Sequence, residues 1–266
     1  MMEENNTGTV YKKCYVAFID ILGFTKYVSE NACETIFGTL LTLKIEAITG
    51  PNGLKAKYGI EANDVKILCI SDSIIVSIEE NVPHAFEAIT EMCAVFQAVL
   101  LLNCGMLMRG GISCGDFYMD DSGDIGDGIL FGPAYNRTVE LEKGARYPII
   151  KIDENLRISD NAVVNQPFLT RSPYDGTVFV DYMSLAKTLS YFSQKMERAA
   201  KKIVGQIKMC SSVKEKYDWT KRYIIDSLGD ESIFSEEKIA SLNAITPQRL
   251  NLCVEFSGEE VKHGQT

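Results

Sequence analysis

The sequence predicts an α/β (α+β) fold: a ferredoxin-like βαββαβ sandwich with an antiparallel-rich sheet and a C-terminal helical extension. Two observations support this prediction. Short β-branched and aromatic runs alternate with longer segments of helical period in the order β-α-β-β-α-β, and a further helix and strands follow. Beyond Tyr182 the strand-like runs stop, and apolar residues recur at helical spacing.

The first half of the chain supplies most of the predicted unit. "CYVAFIDI" predicts a buried strand, and Thr25 to Thr49 predicts a helix, whereas "GPNGLKAKYG" predicts a loop. The apolar face expected for that helix consists of Ile36, Phe37, Leu40, Leu41, Ile45 and Ile48. "DVKILCIS" and "SIIVSIE", joined through Asp72, predict a β-hairpin. Apolar residues from Phe86 to Leu100 step by three and four and predict a second long helix.

The next segment completes the unit and extends the sheet. "MLMRGGISCGDFYM" predicts a strand whose glycines indicate a close backbone approach, and "ILF" predicts a short strand. "GPAYNRTVELEKGA" predicts a helix, because Pro133 suits its first turn and Gly144 its C-terminal cap. "YPIIKI" and "TVFVDY" predict two later strands.

Domain organisation follows from the change of pattern. Residues 1–182 are expected to form the sheet domain, with residues 1–11 as a leader. Residues 183–266 are expected to form the helical extension and tail, packed on the sheet domain or at a subunit contact.

Composition excludes several classes of function. The chain has 266 residues and a net charge of −9, without a long basic run, which argues against nucleic acid or a membrane surface as a partner. Eight cysteines without a CxxC pair favour reduced, buried thiols, and with only two histidines any metal is expected to be oxygen-bound. An acidic start and an apolar stretch broken by Gln97 and Asn103 predict a cytoplasmic chain without a membrane span.

Two carboxylates and a glycine turn are the chemical signals in the sequence. Asp20 ends the first strand and Asp72 lies at the hairpin tip, so both can converge and bind Mg²⁺ or Mn²⁺ with the Ile21 carbonyl. "ILGFT" then opens a helix with free N–H groups that suit a triphosphate. Taken alone, either aspartate is more typical of a solvated turn, whereas the two together at equivalent strand ends favour a metal pair. The glycine turn alone is equally compatible with an ordinary strand-to-helix turn.

Four blocks carry a resemblance to a known family. "FIDILGFT", "ILCISDSIIVS", "MRGGISCGDF" and "GPAYNRTVELEK" resemble, in order, the signature blocks of class III nucleotidyl cyclases over roughly residues 13–150. The resemblance implies a metal site at Asp20, Ile21 and Asp72 for two Mg²⁺ or Mn²⁺ ions. It further implies phosphate binding by the backbone of the loop and ribose binding by one asparagine; these residues are Leu22, Gly23, Phe24, Thr25 and Asn136.

The same resemblance implies a reaction and an assembly. The ribose 3′-hydroxyl of a nucleoside triphosphate attacks its own α-phosphorus, pyrophosphate leaves, and a 3′,5′-cyclic nucleotide forms. Sites of this family form between two chains, so a homodimer with two composite sites is expected.

Departures from the family pattern point to an unusual base. The position that carries the base-reading lysine or glutamate in purine cyclases is Leu68, and its partner position is Ile129. An apolar pair cannot hydrogen-bond to a purine edge. The combination resembles the bacterial Pycsar pyrimidine cyclases, which make cyclic UMP or cyclic CMP in antiphage defence. Their cyclic product acts on a separate effector protein.

A second departure concerns the transition state. Glu140 occupies the position of the family's transition-state arginine. Another cation is then needed, and the candidates are Arg109, Arg137 and Lys143, of which Arg109 is favoured as the catalytic residue because it begins a Gly-Gly strand. Two alternatives stay open: a nucleotide-binding signalling module of cyclase-like fold, and a cyclase that uses ATP. The acidic loop Asp120–Asp127 is interpreted as solvated.

Overall fold

A computed structural model describes residues 10–120, 128–209 and 214–244. Its first half contains four strands and three α-helices. They are β1 (Lys12–Ile21), α1 (Phe24–Glu30), α2 (Cys33–Tyr58), β2 (Val65–Ile70), β3 (Ser73–Glu79), α3 (Ala85–Cys104) and β4 (Met108–Met119).

The second half adds the sheet edge and the C-terminal helices. Its elements are β5 (Leu130–Phe131), α4 (Pro133–Lys143), β6 (Ile150–Ile152), α5 (Asp160–Asn165), β7 (Leu169–Arg171), β8 (Val178–Val180), α6 (Tyr182–Ala186), α7 (Phe192–Met209), α8 (Lys214–Leu228) and α9 (Glu236–Ala244). Outside the described residues lie residues 1–9 of the predicted leader, residues 121–127 of the acidic loop, residues 210–213 and the tail from residue 245.

The sheet has the predicted topology. Its strands run β2-β3-β1-β4-β6-β8-β7, with β5 paired to β4 off this path. The first four are antiparallel and have the β2-β3-β1-β4 order of a ferredoxin-like βαββαβ unit, while β6 joins β4 in parallel. The predicted fold class, a mixed α/β sandwich with an antiparallel-rich sheet and C-terminal helices, is confirmed.

The two faces of β1 belong to different apolar clusters. Ile19 and Ile21 belong to the large core that also contains residues of α2 and α3. Val16 lies in a smaller cluster that includes Ala134 of α4. Within the described ranges, α3 is the one helix long and apolar enough to cross a membrane, and most of it is buried in this structure.

The first helical region differs from the prediction. A break separates α1 from α2, and α2 continues through Pro51 to Tyr58, so the loop predicted for residues 50–59 is wrong for all but its end. Phe37 and Ile48, expected on the buried face, are 64% and 67% exposed. The buried row of α2 is instead Thr39, Leu43, Ala47, Pro51 and Leu54. Packing of that row on the core outweighs the low helix propensity of proline.

Aromatic stacking connects the C-terminal helices to the sheet domain. The ring of Trp219 in α8 stacks on Tyr147, which follows α4, and on Tyr223, with both centroid distances at 5.2 Å. Helix α7 packs against α3, and Met196 and Ile203 of α7 are fully buried. The division of the chain at residue 182 remains a prediction.

Candidate active site

Asp20 lies at the end of β1, between the two strands that flank it. Its backbone is opposite Ser73 of β3 and Arg109 of β4, so the three side chains share one face of the sheet. The Ser73 hydroxyl donates a hydrogen bond to Asp20 Oδ1 at 3.2 Å. This face is the one that α4 covers.

The hairpin tip brings Asp72 beside Asp20. Strands β2 and β3 are joined by Ser71 and Asp72, and Ser71 has a φ of 54°, as the first residue of a tight two-residue hairpin loop requires. The backbone N–H of Ile21 donates to the Asp72 carbonyl at 3.2 Å. The sheet therefore places the two predicted carboxylate residues at one end of neighbouring strands.

The surroundings of Asp20 disfavour its ionised carboxylate in the absence of a cation. Burial, together with the nearby carboxylates of Asp72 and Glu142, raises the pKa of Asp20 to about 6, against smaller opposing effects of Ser73 and Arg109. A bound cation would stabilise the charged form and reverse this shift. The environment of Asp20 therefore fits a positively charged ligand.

The donor set of carboxylate and carbonyl oxygens fits Mg²⁺ or Mn²⁺ better than a softer ion such as Zn²⁺. Within the described ranges, no group of three or more His, Cys, Asp or Glu residues could hold a metal ion. A site at Asp20 and Asp72 would be completed by a carbonyl such as that of Ile21, by substrate oxygens and by water. Mg²⁺ is commonly bound in this way, through one or two carboxylates and substrate phosphates.

The glycine loop turns the chain from β1 into α1. Gly23 has a φ of 76°, a conformation that glycine adopts without strain. The Leu22 N–H donates to the Leu107 carbonyl at 2.8 Å, so this amide is already engaged. The amides of Gly23, Phe24 and Thr25 precede the first intrahelical bond of α1, in which the Tyr27 N–H donates to the Gly23 carbonyl.

The candidate cations lie in different surroundings. Arg109 Nε is in an ion pair with Glu142 Oε1 of α4. Arg137 Nη2 lies 3.0 Å from Asp153 Oδ1, away from Asp20. Lys143 is exposed at the end of α4. Of the three, Arg109 is the one that the sheet places opposite Asp20.

Glu142 is a site residue that the sequence reasoning missed. It is 7% exposed at its side chain and lies on the buried face of α4 with Ala134, Thr138 and Leu141. A carboxylate is rarely buried without a partner. The helical spacing of Glu142 with this buried row could therefore have predicted a buried carboxylate that needs a cation. Its partner, Arg109, could not be identified from the local pattern.

The residues predicted to contact base and ribose are distributed along the sheet. Leu68 of β2 is half-buried and packs with the smaller apolar cluster that includes Phe18. Ile129 is 51% exposed, and its carbonyl accepts a hydrogen bond from the Asp120 N–H, just beyond the far end of β4. Asn136 is exposed on α4.

Ile129 and Asp20 are far apart within one chain. Asp20 is opposite Arg109 at the start of β4, whereas Ile129 directly precedes Leu130, the partner of Met119 at the end of β4. From Arg109 to Met119 the strand spans roughly 34 Å at its usual rise. A single nucleotide cannot contact both residues of the same chain.

Comparisons with known proteins identify cyclase domains among solved structures. No family model and no curated protein matches the chain. The catalytic core of a rhodopsin-guanylyl cyclase with converted specificity, in complex with ATPαS, is similar over 64% of this chain and 95% of its own, with 20% identity and a TM-score of 0.47.

Two further solved structures are similar to a comparable degree. An adenylyl cyclase from P. aeruginosa matches over 64% of this chain and 92% of its own, with 19% identity and a TM-score of 0.45. The guanylate cyclase domain of a protein from Catenaria anguillulae, in complex with GTP, matches over 65% and 96%, with 18% identity and a TM-score of 0.44. These similarities are too weak to assign the chain to a family.

Proposed function

We propose that the protein is a class III nucleotidyl cyclase that converts a nucleoside triphosphate to its 3′,5′-cyclic nucleotide and pyrophosphate. The observation that carries the proposal is the convergence of Asp20 with the Asp72 hairpin tip, directly before a glycine loop. The four sequence blocks that resemble the family lie on β1 and the loop after it, the β2–β3 hairpin, β4 and α4.

Each residue then has a defined task. Asp20, Asp72 and the Ile21 carbonyl hold two Mg²⁺ or Mn²⁺ ions, which when bound acidify the ribose 3′-hydroxyl and neutralise the departing pyrophosphate. The free amides of Gly23, Phe24 and Thr25 bind phosphate oxygens. The remaining contacts in this proposal are Leu22 beside the phosphates, Asn136 at the ribose, and Arg109 as the cation for transition-state charge.

The separation along β4 supports a composite site. Asp20 lies at the Arg109 end of β4 and Ile129 lies beyond the Met119 end, farther apart than one nucleotide reaches. A two-fold dimer solves this problem, because the far end of one chain can lie against the metal end of its partner. We therefore propose a homodimer with two equivalent sites.

The proposed substrate is a pyrimidine nucleotide, UTP or CTP. Leu68 lies in an apolar cluster, and Ile129 presents an aliphatic surface to solvent. Neither side chain can donate or accept a hydrogen bond at a purine edge. Together with the resemblance to the Pycsar cyclases, this supports a cyclic UMP or cyclic CMP messenger for a separate effector protein in antiviral defence.

The test is a product assay with all four ribonucleoside triphosphates. Purified protein is incubated with Mn²⁺ and each triphosphate separately, and products are identified by mass spectrometry. Cyclic UMP or cyclic CMP is the expected product. Cyclic AMP or cyclic GMP would retain the reaction and overturn the base assignment, whereas no cyclic product from any substrate would contradict the proposed activity and favour a nucleotide-binding module.

A further inference from the structure

A cavity of about 530 Å³ lies between the glycine loop and the helical extension. Leu22 and Gly23 of the loop line it together with residues of α1, α7 and α8 and the residues at the end of α3. Its volume is within the range of small-molecule sites. Asp20, Asp72 and Arg109 are not among the described residues that line it, so the cavity is separate from the proposed metal site.

The cavity has a buried apolar part and an exposed charged part. Its buried lining includes Met106, just after α3, and Tyr217 of α8. Its exposed lining includes Lys26 and Glu30 of α1 and Lys202 of α7. A ligand can therefore enter from solvent, place an apolar body against the buried residues and keep a charged group at the exposed ones.

Lys202 is held over the end of α3 by packing and by a hydrogen bond. A Cβ on Gly105 would lie 2.3 Å from Lys202 Cδ, so the lysine stem occupies the space that a side chain at position 105 would need. The Lys202 ammonium donates to the Cys104 carbonyl, one of the last carbonyls of α3. An ammonium has three donors, so two of them are left for water or a ligand in the cavity.

The charges of the lining favour an anion. Lys26 Nζ lies 3.7 Å from Glu30 Oε1, one turn further along α1. Among the described residues, no carboxylate is within ion-pair distance of the Lys202 ammonium. The described lining contains two lysines and one glutamate, so its net charge is positive. An anionic group can therefore pair with Lys202 without displacing a protein counter-ion.

Gly205 leaves the α7 side of the cavity open. It lies in the interior of α7, where glycine is less favourable than alanine by roughly 1 kcal/mol. A Cβ on Gly205 would have no heavy atom within 4 Å, so close packing does not require this glycine. It is three residues after Lys202 and therefore on the same face of the helix. The missing side chain adds space to the cavity beside the ammonium.

We propose that this cavity binds a small organic anion with an aromatic or aliphatic body, and that Lys202 pairs with its charged group. The body packs against Met106 and Tyr217 in the buried part of the cavity. The proposal goes beyond the proposed function, because the site needs neither metal nor nucleotide. Since Leu22 and Gly23 belong both to the cavity and to the glycine loop, the bound anion also contacts that loop.

Two related fluorescent probes test the role of the charge. Anilinonaphthalenesulfonate has aromatic rings and a sulfonate, and phenylnaphthylamine has the same rings without the charge. Each is titrated into the full-length protein without metal or nucleotide, and we expect the wild type to bind both.

The variant K202Q separates the ion pair from the shape of the cavity. It should weaken binding of the sulfonate by about 10-fold, the effect of losing one hydrogen bond to a charged group, and leave binding of phenylnaphthylamine unchanged. Wild-type affinity for both probes in K202Q would overturn the proposal, as would an equal loss for both.

A pair of glycine substitutions locates the binding site. Gly205→Leu fills the α7 side of the cavity and should weaken both probes by at least about 10-fold, because the leucine takes the space of their rings. It should not lower the melting temperature, since leucine favours a helix more than glycine does. Gly38→Leu is the matched control, because Gly38 also lies inside a helix, with no heavy atom within 4 Å of a Cβ.

The control should bind both probes like the wild type. Wild-type affinity in Gly205→Leu would overturn the proposal. An equal loss in Gly38→Leu, or a wild type that binds neither probe, would also overturn it.

Discussion

The two ends of β4 have opposite character. At its start, Arg109 is opposite Asp20 and pairs with Glu142, so that end is charged and partly buried. At its other end, Tyr118 pairs with Phe131 of β5, their rings 5.1 Å apart, and Ile129 is half exposed beyond them. Under the proposed function, the first end holds metal and phosphate and the second presents Ile129 to the base. This separation supports a nucleotide site that is shared between two chains.

Glycines at the charged end bring its elements close together. A Cβ on Gly110 would lie 2.3 Å from the Phe18 carbonyl oxygen, and one on Gly111 would lie 2.4 Å from Leu141 Cβ. These contacts leave no room for a side chain. The close approach of α4 to β4 lets Glu142 reach Arg109, and the sequence signal "RGG" marks this packing.

Loss of a metal carboxylate should have the largest effect. Asp20→Ala or Asp72→Ala should reduce turnover by about 1,000-fold or more, because bound metal supplies several kcal/mol of transition-state stabilisation. Neither substitution should disrupt the fold, including the far end of β4. The circular dichroism spectrum should therefore match that of the wild type. Asp226→Ala, at an exposed position of α8, is the control and should retain full turnover.

The pH dependence of stability sharpens the contrast between the ends. Because burial and the neighbouring carboxylates raise the pKa of Asp20 to about 6 in the folded metal-free protein, the folded state binds more protons than the unfolded state between about pH 4 and 6. Its free energy of unfolding should therefore fall as pH rises through this window, by about 1–3 kcal/mol at most. Chemical denaturation at several pH values measures it.

A matched variant tests the origin of that pH dependence. Asp20→Asn should unfold at a higher denaturant concentration than the wild type at pH 7. Added Mn²⁺ should raise the free energy of unfolding of the wild type and leave that of the variant unchanged. An unchanged pH profile in Asp20→Asn would assign the effect to another group.

Glycine substitutions should have a smaller effect on stability. Gly111→Ala should lower the free energy of unfolding by about 1–3 kcal/mol through overpacking against α4. Gly53→Ala is the control: it has open space around it in α2, and it should stabilise the helix by up to about 1 kcal/mol. Equal melting temperatures for Gly111→Ala and the wild type would contradict the close packing described here.

Local pattern was sufficient to predict the sheet and the position of Asp20 and Asp72 at one end of it, but not the residues that surround them. The strand run ending at Asp20 and the hairpin at Asp72 were predicted because a turn residue and alternating apolar residues are local signals. The buried face of α2 could not be predicted in the same way. Two apolar stripes run along that helix, and tertiary packing determines which of them is buried.

The charged cluster around Arg109 shows why the rest could not be predicted. Arg109 and Glu142 come from β4 and α4, and each alone is an ordinary charged residue in the sequence. Their proximity depends on the long-range packing of α4 on β4, which no periodicity encodes. The assignment of Leu68 and Ile129 to the base likewise came from the resemblance and remains a prediction.

Mixing two inactive variants tests the division of the site most directly. Asp20→Ala removes a proposed metal ligand, and Asn136→Ala removes the proposed ribose contact on α4. If the site is shared between chains, co-refolding equal amounts should restore about a quarter of wild-type turnover, because half of the dimers then have one intact site of two. Activity that stays at the level of the separate variants, although mass photometry shows mixed dimers, would contradict a composite nucleotidyl cyclase site.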